Sequence, residues 1–493
     1  MRFSQEFRLE SLAFIAFFAT LPLYSPNLVL FSEYGAAETL MPSFVNAMML
    51  ASVLAGLFSA WVAHRYSFSG FVHPPFIVGA TVLYLGGFVL FAVSLSAGGF
   101  VPEAVMVGAG VAVAFGMVPL CIAWGTYLSM LDLRQALFYL AIMVGIASLI
   151  ELMLSSIAFE AGLLVYGLLL LIGVALPCVK SITGSLSRGL GSRGGSEDRE
   201  FGYLVGRSAV GGEAKAGALA LVSNIKRMAS VAALPFIGLL VFAFVMSVRK
   251  FMVFETFYVE TLGGIVAAVV VLPLCLLKSN RPLLSFIYQV FLPICAVALI
   301  VLNAFPFGTT AQWLAASFSY VFYGIIGIIA LASLCAMAHA REFSPAFIYG
   351  LAVACFMAVS FVGIMCGASS IFADNAGPIL LVVSTLYFGF VVLAPLIAAW
   401  RREGVAEPGR SQEIGEGEAQ SDLQKRCEEV ALRFELSPRE AEILSYLGRG
   451  HGIVFIAKTL VISESTVRTH VKSIYRKLEV SSREQLIELI DKK

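Results

Sequence analysis

Between Lys458 and Lys477 the chain sets five basic residues, Lys458, Arg468, Lys472, Arg476 and Lys477, against one acid, Glu464. Such a concentration neutralises phosphate, and Arg or Lys can also hydrogen-bond guanine O6 and N7 in the major groove. Val467, Val471, Ile474 and Leu478 follow at i, i+4, i+7 and i+11, so they share the buried face of one helix. Thr466, Arg468, Thr469, Lys472 and Arg476 are left for solvent, and Ser463 is placed to cap the helix. A second candidate, Glu151, lies roughly fifteen residues into an apolar run, where an ionisable group holds a ligand or proton, or else faces water or a partner within the fold. Arg249 and Lys250 end another apolar run and either attract an anion or reach outward to headgroups. No metal-ligand cluster, phosphate-binding glycine loop, nucleophile elbow or zinc-hydrolase histidine pair occurs in a supporting context, so neither enzyme chemistry, nor a metal, nor a cofactor is expected.

The elements that must position these residues were shaped by two solvents. Of 493 residues, 59% are hydrophobic and 13% charged, against roughly 45–50% and 25% in soluble domains. Residues 1–400 hold 17 Lys/Arg and 16 Asp/Glu, whereas the much shorter 401–493 holds 16 of each. That step excludes a single soluble enzyme, a secreted disulfide scaffold and a disordered polar tail. Seven of the eight cysteines lie in or beside apolar runs and read as small core residues; Cys427 alone lies in the polar tail.

A bilayer-crossing helix needs about 20 mostly apolar residues. Twelve such runs occur, near 11–31, 43–63, 75–95, 103–124, 136–158, 160–178, 231–248, 256–277, 283–303, 311–338, 345–366 and 378–400. Basic residues fall on alternate connections, at Arg2 and Arg8, Arg65, Arg134, the 179–230 segment, Lys278 and Arg281, Arg341, and Arg401 and Arg402. Retention of such residues inside predicts that both termini are cytoplasmic. Acids collect on the other connections, among them Glu33, Glu103, Glu255 and Glu260. The glycine-rich, charged stretch 179–230 reads as a flexible cytoplasmic loop that divides the runs six and six. This layout resembles the major facilitator superfamily over roughly 1–400. That family usually carries a glycine, an acidic-basic pair and further basics after the second span; this chain has Gly56, Ala63, His64, Arg65 and Tyr66, without the acid and the later basics. Gly108, Ala112 and Gly116 make a small-residue stripe suited to helix packing.

The polar tail begins with a charged linker, 401–420, which if flexible would span on the order of 25 Å. Asp422 to Phe434 reads as a helix able to relay a signal. From 436 follow a capping box of Ser437 and Glu440 with Pro438 in the first turn, a helix to about Leu447, a turn punctuated by Gly448, Gly450 and Gly452, and a helix through Ile456, Ala457 and Leu460. Then comes the basic helix, and a last one from Ser482 to Ile490 makes four. Leu436, Pro438, Arg439, Glu440, Glu442, Leu444, Gly450, Ile456, Ala457, Leu460, Ser463, Thr466, Val467, His470, Ile474, Lys477 and Leu478 meet the pattern of LuxR-type (GerE-like) helix-turn-helix regulators, which 430–490 resembles. By that resemblance Arg468, Thr469 and Lys472 match base-reading positions, and Thr466, Arg476 and Lys477 match or neighbour backbone-contacting ones. With the capping Ser463 they form the candidate DNA-binding set. Where the family usually has polar residues, this chain has Ile453, Val454 and Phe455, which either repack against the preceding helix or offer a docking face.

The expected protein is all-α: a polytopic bundle of about twelve spans over 1–400, the linker 401–420, and a four-helix helix-turn-helix unit over 421–493. The expected role is one-component transcription regulation from a bacterial inner membrane, with a small molecule or membrane state sensed by the bundle. Promoter DNA and the lipid bilayer are the expected partners, joined by a second copy on DNA, which the resemblance implies, and by RNA polymerase. The alternative is a secondary transporter with an autoregulatory DNA-binding tail.

Overall fold

In lipid no water satisfies a bare peptide group, so a spanning chain must close its hydrogen bonds within helices or a barrel. The computed structural model describes residues 6–22, 37–66, 73–97, 102–182, 236–248, 256–276, 292–304, 310–340, 343–370, 378–390, 419–449, 451–480 and 483–491, with a few isolated positions besides. Arg249 and Lys250, most of the 179–230 loop and 401–418 of the linker lie outside them. Among the described residues every regular element is a helix. The apolar ones are α1 (Glu6–Ala19), α2 (Ala37–Tyr66), α3 (Pro74–Ser96), α4 (Glu103–Leu128), α5 (Leu133–Leu154), α6 (Phe159–Ile182), α7 (Phe236–Val248), α8 (Thr256–Leu276), α9 (Leu292–Asn303), α10 (Thr310–His339), α11 (Pro345–Gly367) and α12 (Pro378–Phe390). Seven of them are long and apolar enough to cross a membrane. The chain is therefore a multi-pass membrane protein, with the remaining apolar helices shorter over the described residues.

Local chemistry starts and stops these helices. Asp132 caps α5 in a reciprocal box with Gln135, and Ser344 accepts the Phe347 amide ahead of Pro345 in the first turn of α11. Buried polar groups find partners across the bundle: Tyr84 and Tyr166 both donate to the Thr20 carbonyl, at 3.3 and 3.2 Å, and Trp124 Nε1 donates to the Gly173 carbonyl at 3.2 Å. These bonds hold the end of α1 against α3 and α6. Lys180 of α6 pairs with the buried Glu10 of α1 and lies over the Tyr127 ring, 4.7 Å from its centroid.

Lipid tails are as apolar as leucine, so helices gain most from touching closely. Gly116 of α4 shows how closely: a Cβ there would lie 2.5 Å from the Ala80 carbonyl oxygen of α3. Gly108, expected on the same packing stripe, points outward with nothing within 4 Å of such a Cβ, because eight residues at 3.6 per turn rotate it by about 80° around α4 from Gly116, onto the exposed face. At the seam between the first six helices and the second six, Gly56 of α2 and Gly350 of α11 stand back to back, each Cβ position within 2.8 Å of the other's carbonyl oxygen.

The polar tail folds around a second core. Its helices are α13 (Ala419–Arg433), α14 (Pro438–Gly448), α15 (Ile453–Leu460), α16 (Glu464–Lys477) and α17 (Arg483–Asp491). Cys427, Ile443, Leu444, Leu447, Ile456, Ile474 and Leu486 are among its buried residues. Cys427, expected only as a polar-tail residue, faces inward beside Gly448, so α13 is a fifth helix of the unit and not simply a relay. Three helices end on a left-handed residue that is not glycine, at Glu435, Val461 and Glu479, each followed by a backbone bond of 2.9–3.0 Å back to the last turn. Val461 makes its buried contacts with the core of the bundle, and Ala340 at the end of α10 packs on the core of the tail unit, so the two units touch at the turn before α16.

Valine at position 116 would have to displace α3 backbone, whereas valine at 108 meets open space. Gly116→Val is expected to abolish the monodisperse full-length peak in detergent size-exclusion chromatography, and Gly108→Val to leave it at parent yield.

Candidate nucleic-acid interface

A helix that reads DNA must be held by one face and free on the other. Val467 and Ile474 of α16 are wholly buried and Leu478 nearly so, while Arg468, Thr469, Lys472 and Arg476 are exposed. Arg468 makes only a loose i,i+4 pair with Glu464 at 3.9 Å, which leaves its guanidinium available. Ser463 and Thr466 sit deeper. The Ser463 hydroxyl accepts the Thr466 amide at 3.1 Å and lies 2.8 Å from both the Ser465 and Thr466 hydroxyls, so its first task is to cap α16. The Thr469 hydroxyl donates to the Ser465 carbonyl at 3.0 Å, one turn back along the same helix. The basic outer face of α16 therefore forms one exposed surface.

Lys477 has a different surrounding. Its ammonium donates to Glu440 Oε2 at 2.7 Å and to the Glu435 carbonyl at 3.3 Å. Glu440 itself closes the capping box of α14: its carboxylate accepts the Ser437 amide at 2.8 Å, and its own amide donates to the Ser437 hydroxyl at 3.2 Å. One nearly buried carboxylate thus ties the start of α14 to the end of α16. Burial would raise its pKa, but hydrogen bonds from Lys477, Ser473 and Ser437 outweigh that and hold it at about 2. The capping box is visible in the spacing of Ser437 and Glu440, but the lysine partner, 37 residues away, is not. Arg439 adds a second tie, donating to the Leu460 carbonyl at 3.1 Å where α15 ends.

The apolar trio at the head of α15 is largely accounted for by packing. Phe455 stacks on His451 with ring centroids 3.9 Å apart, and the Tyr446 ring of α14 lies 6.3 Å from it. Ile453 packs on the core of the unit. The side chain of Val454 and that of Lys458 fall outside the described residues.

Of the candidate sensing residues, Glu151 is buried in α5 and lines a small internal cavity. Glu260, which the charge pattern places among outer acids, is inside α8 and lines the same cavity. A larger hollow of about 490 Å³ is walled by apolar side chains of α9 and α10, including Val297 and Phe322. Among the described residues no cluster of His, Cys, Asp and Glu is arranged to hold a metal ion.

This geometry defines a helix-turn-helix unit carried by a polytopic membrane protein. Residues 435–490 match the bacterial regulatory proteins, luxR family, and this segment is a LuxR-type DNA-binding domain. The transcriptional regulatory protein LnrK of Bacillus subtilis is 34% identical over 116 residues, covering 22% of this chain and 46% of that protein. The response regulator protein VraR of Staphylococcus aureus is 34% identical over 86 residues, covering 17% and 41% respectively. The chain thus spans less than half the length of these curated relatives. Among solved structures, a bacterial homologue of the iron transporter ferroportin is similar over 80% of this chain and 97% of its own, with TM-score 0.49 and 15% identity. The human organic anion transporter MFSD10 is similar over 78% and 95%, with TM-score 0.48 and 13% identity.

The Glu440 carboxyl has a folded pKa below its ordinary value, so its stabilisation is complete above about pH 4.5 and is lost as pH falls toward 2. The shift corresponds to an upper bound of about 3 kcal/mol. Chemical denaturation of the isolated 419–493 segment is expected to show Glu440→Gln less stable at pH 7 by up to that amount. Its stability is also expected to vary less than the parent's between pH 4.5 and 2.

Proposed function

We propose that this protein is a membrane-bound transcriptional regulator, in which the apolar bundle senses a ligand or a membrane state and the C-terminal domain binds promoter DNA sequence-specifically. The observation that carries the reading is the exposed face of α16. Arg468, Thr469, Lys472 and Arg476 are free of the domain core, on a helix whose opposite face is wholly committed to it. A LuxR-type domain fused to a bundle of apolar helices brings DNA binding and the bilayer into one chain. Lys and Arg gather on alternate connections, which supports cytoplasmic termini in a bacterial inner membrane, on the side where the DNA lies.

The contact at Val461 supports direct coupling between the units. A β-branched residue at φ 55 is strained, and Val461 is held there with its side chain against the bundle. The turn it occupies leads straight into α16. In this mechanism the bundle has two arrangements, one of which holds the turn and one of which releases it, and the sensed species binds one more tightly than the other. A second copy on DNA would add to the small basic face of one domain, and the released domain would be the form that meets RNA polymerase.

Two experiments test this. Genome-wide crosslinked occupancy of the full-length chain is expected to show discrete promoter peaks. The Arg468→Ala, Lys472→Ala double variant should lose them, at about 1–3 kcal/mol per lost base contact. Wild-type peaks that persist in the variant, or no peaks at all, would remove the reading. Asparagine tolerates a positive φ but removes the apolar contact, so Val461→Asn is expected to raise occupancy constitutively without lowering the domain's stability. Unchanged occupancy would separate the turn from the coupling.

A further inference from the structure

Where the tail unit meets the bundle, the two halves of the bundle also meet each other. Both α4, from the first half, and α10, from the second, end here, and two levels of contact join them. At the deeper level a Cβ on Gly125 of α4 would overlap the Tyr349 ring of α11, 2.5 Å from its Cζ, and the Tyr349 hydroxyl donates to Cys335 Sγ of α10 at 3.3 Å. Four residues further along both α4 and α10, one helical turn nearer the end, His339 Nδ1 lies 2.9 Å from the Ser129 carbonyl oxygen. A carbonyl oxygen only accepts, so Nδ1 carries the proton and donates. Ser129 is the C-cap of α4, and a helix leaves its last carbonyls without partners of their own, so the imidazole supplies a donor across the seam. Next to Tyr349, Gly350 stands against Gly56 of α2, and this end of the seam is closed by backbone approach as well as by the His339 bond.

The tail unit rests on the very next residue. Ala340 keeps the helical bond to the Ala336 carbonyl at 2.9 Å and packs on the tail core, while Val461 of the tail is held in the core of the bundle. Parting the halves at this end breaks the bond from His339 to Ser129, and Ala340, adjacent to His339 on the same helical turn, moves with it. We infer that the tail unit docks on a surface that exists only while the two halves are closed at this end, with the bond from His339 to Ser129 as its latch.

The tail thus reads the closure of the seam, and any species that opens this end of the bundle undocks it. One hydrogen bond of this kind shifts a two-state population by about two- to tenfold, enough to bias docking without locking it. That undocking frees the domain for promoter DNA rests on the regulator reading above; the docking surface itself does not.

Amide hydrogen exchange of the full-length chain in lipid nanodiscs, read on peptides covering 334–340 and 456–464, tests the surface without DNA. His339→Phe keeps a flat ring but has no donor, and is expected to speed exchange of both peptides by about two- to tenfold. His339→Asn places an amide nitrogen close to where Nδ1 lies and is expected to stay near the parent rate. Peptides from the cores of α14 and α17 should not change in either variant, which separates undocking from unfolding of the tail. Gly125→Ala wedges α4 away from Tyr349 one turn before Ser129, and is expected to speed the same two peptides. Unchanged exchange in His339→Phe, or equal acceleration in His339→Asn, overturns the latch. A folded Gly125→Ala with parent exchange overturns the dependence on the seam; should that variant not accumulate, the two His339 variants decide alone. Promoter occupancy of His339→Phe separates this inference from the regulator reading. Faster exchange with unchanged occupancy leaves the docking surface standing and removes its control of DNA binding, whereas unchanged exchange removes the surface whatever the occupancy does.

Discussion

Within a bilayer, apolar burial no longer draws one helix to another, and the bundle depends on how nearly two backbones can approach. Gly116 of α4 against α3, and Gly56 against Gly350 at the seam between halves, bring main chains to distances that any side chain would prevent. The same closeness forces buried polar atoms to be answered locally. The Thr20 carbonyl serves two tyrosines, and the buried Glu10 receives Lys180. Close packing and polar satisfaction are one constraint here, since each small-residue contact decides which polar side chains meet.

That constraint gives the α5–α8 contact its chemistry. A register set by Gly145 and Gly264 carries two acids to the same level on opposite halves, in a space too small for anything but water-sized species. The second contact of interest, between Val461 and the bundle, lies at the other extreme of the chain's architecture, where an ordinary soluble fold meets the membrane unit at a strained residue.

The tail unit obeys different physics. Water drives its core together, and its helices are short enough that capping and ion pairing contribute a substantial part of their stability. Glu440 serves both purposes at once: it closes the first turn of α14 and receives Lys477 from the end of α16. The basic helix is thereby held at both ends, by Ser463 at its start and Lys477 at its finish, while its outer face stays open.

Apolar run length, the charge step near 400, the capping box at 437–440 and the four apolar positions of α16 are local or periodic signals, so the two-part all-α organisation and the exposed side of the basic helix were legible in the sequence. Glu151 stood out for the same reason, as a charge inside an apolar run. Its partner did not: Glu260 lies four residues into its helix, and a charge count cannot tell a loop acid from one facing a cavity. Gly108 and Gly116 look equivalent in spacing, yet only Gly116 meets a neighbour, because the helical turn puts the two on different faces of α4 and the fold decides which face is covered. Lys477 carried a positive charge like its neighbours, and only the fold turned it toward Glu440. Patterns within one helix were thus set by the chain's own period, while pairings between helices, 37 residues apart in one unit and more than a hundred in the other, were decided by tertiary packing.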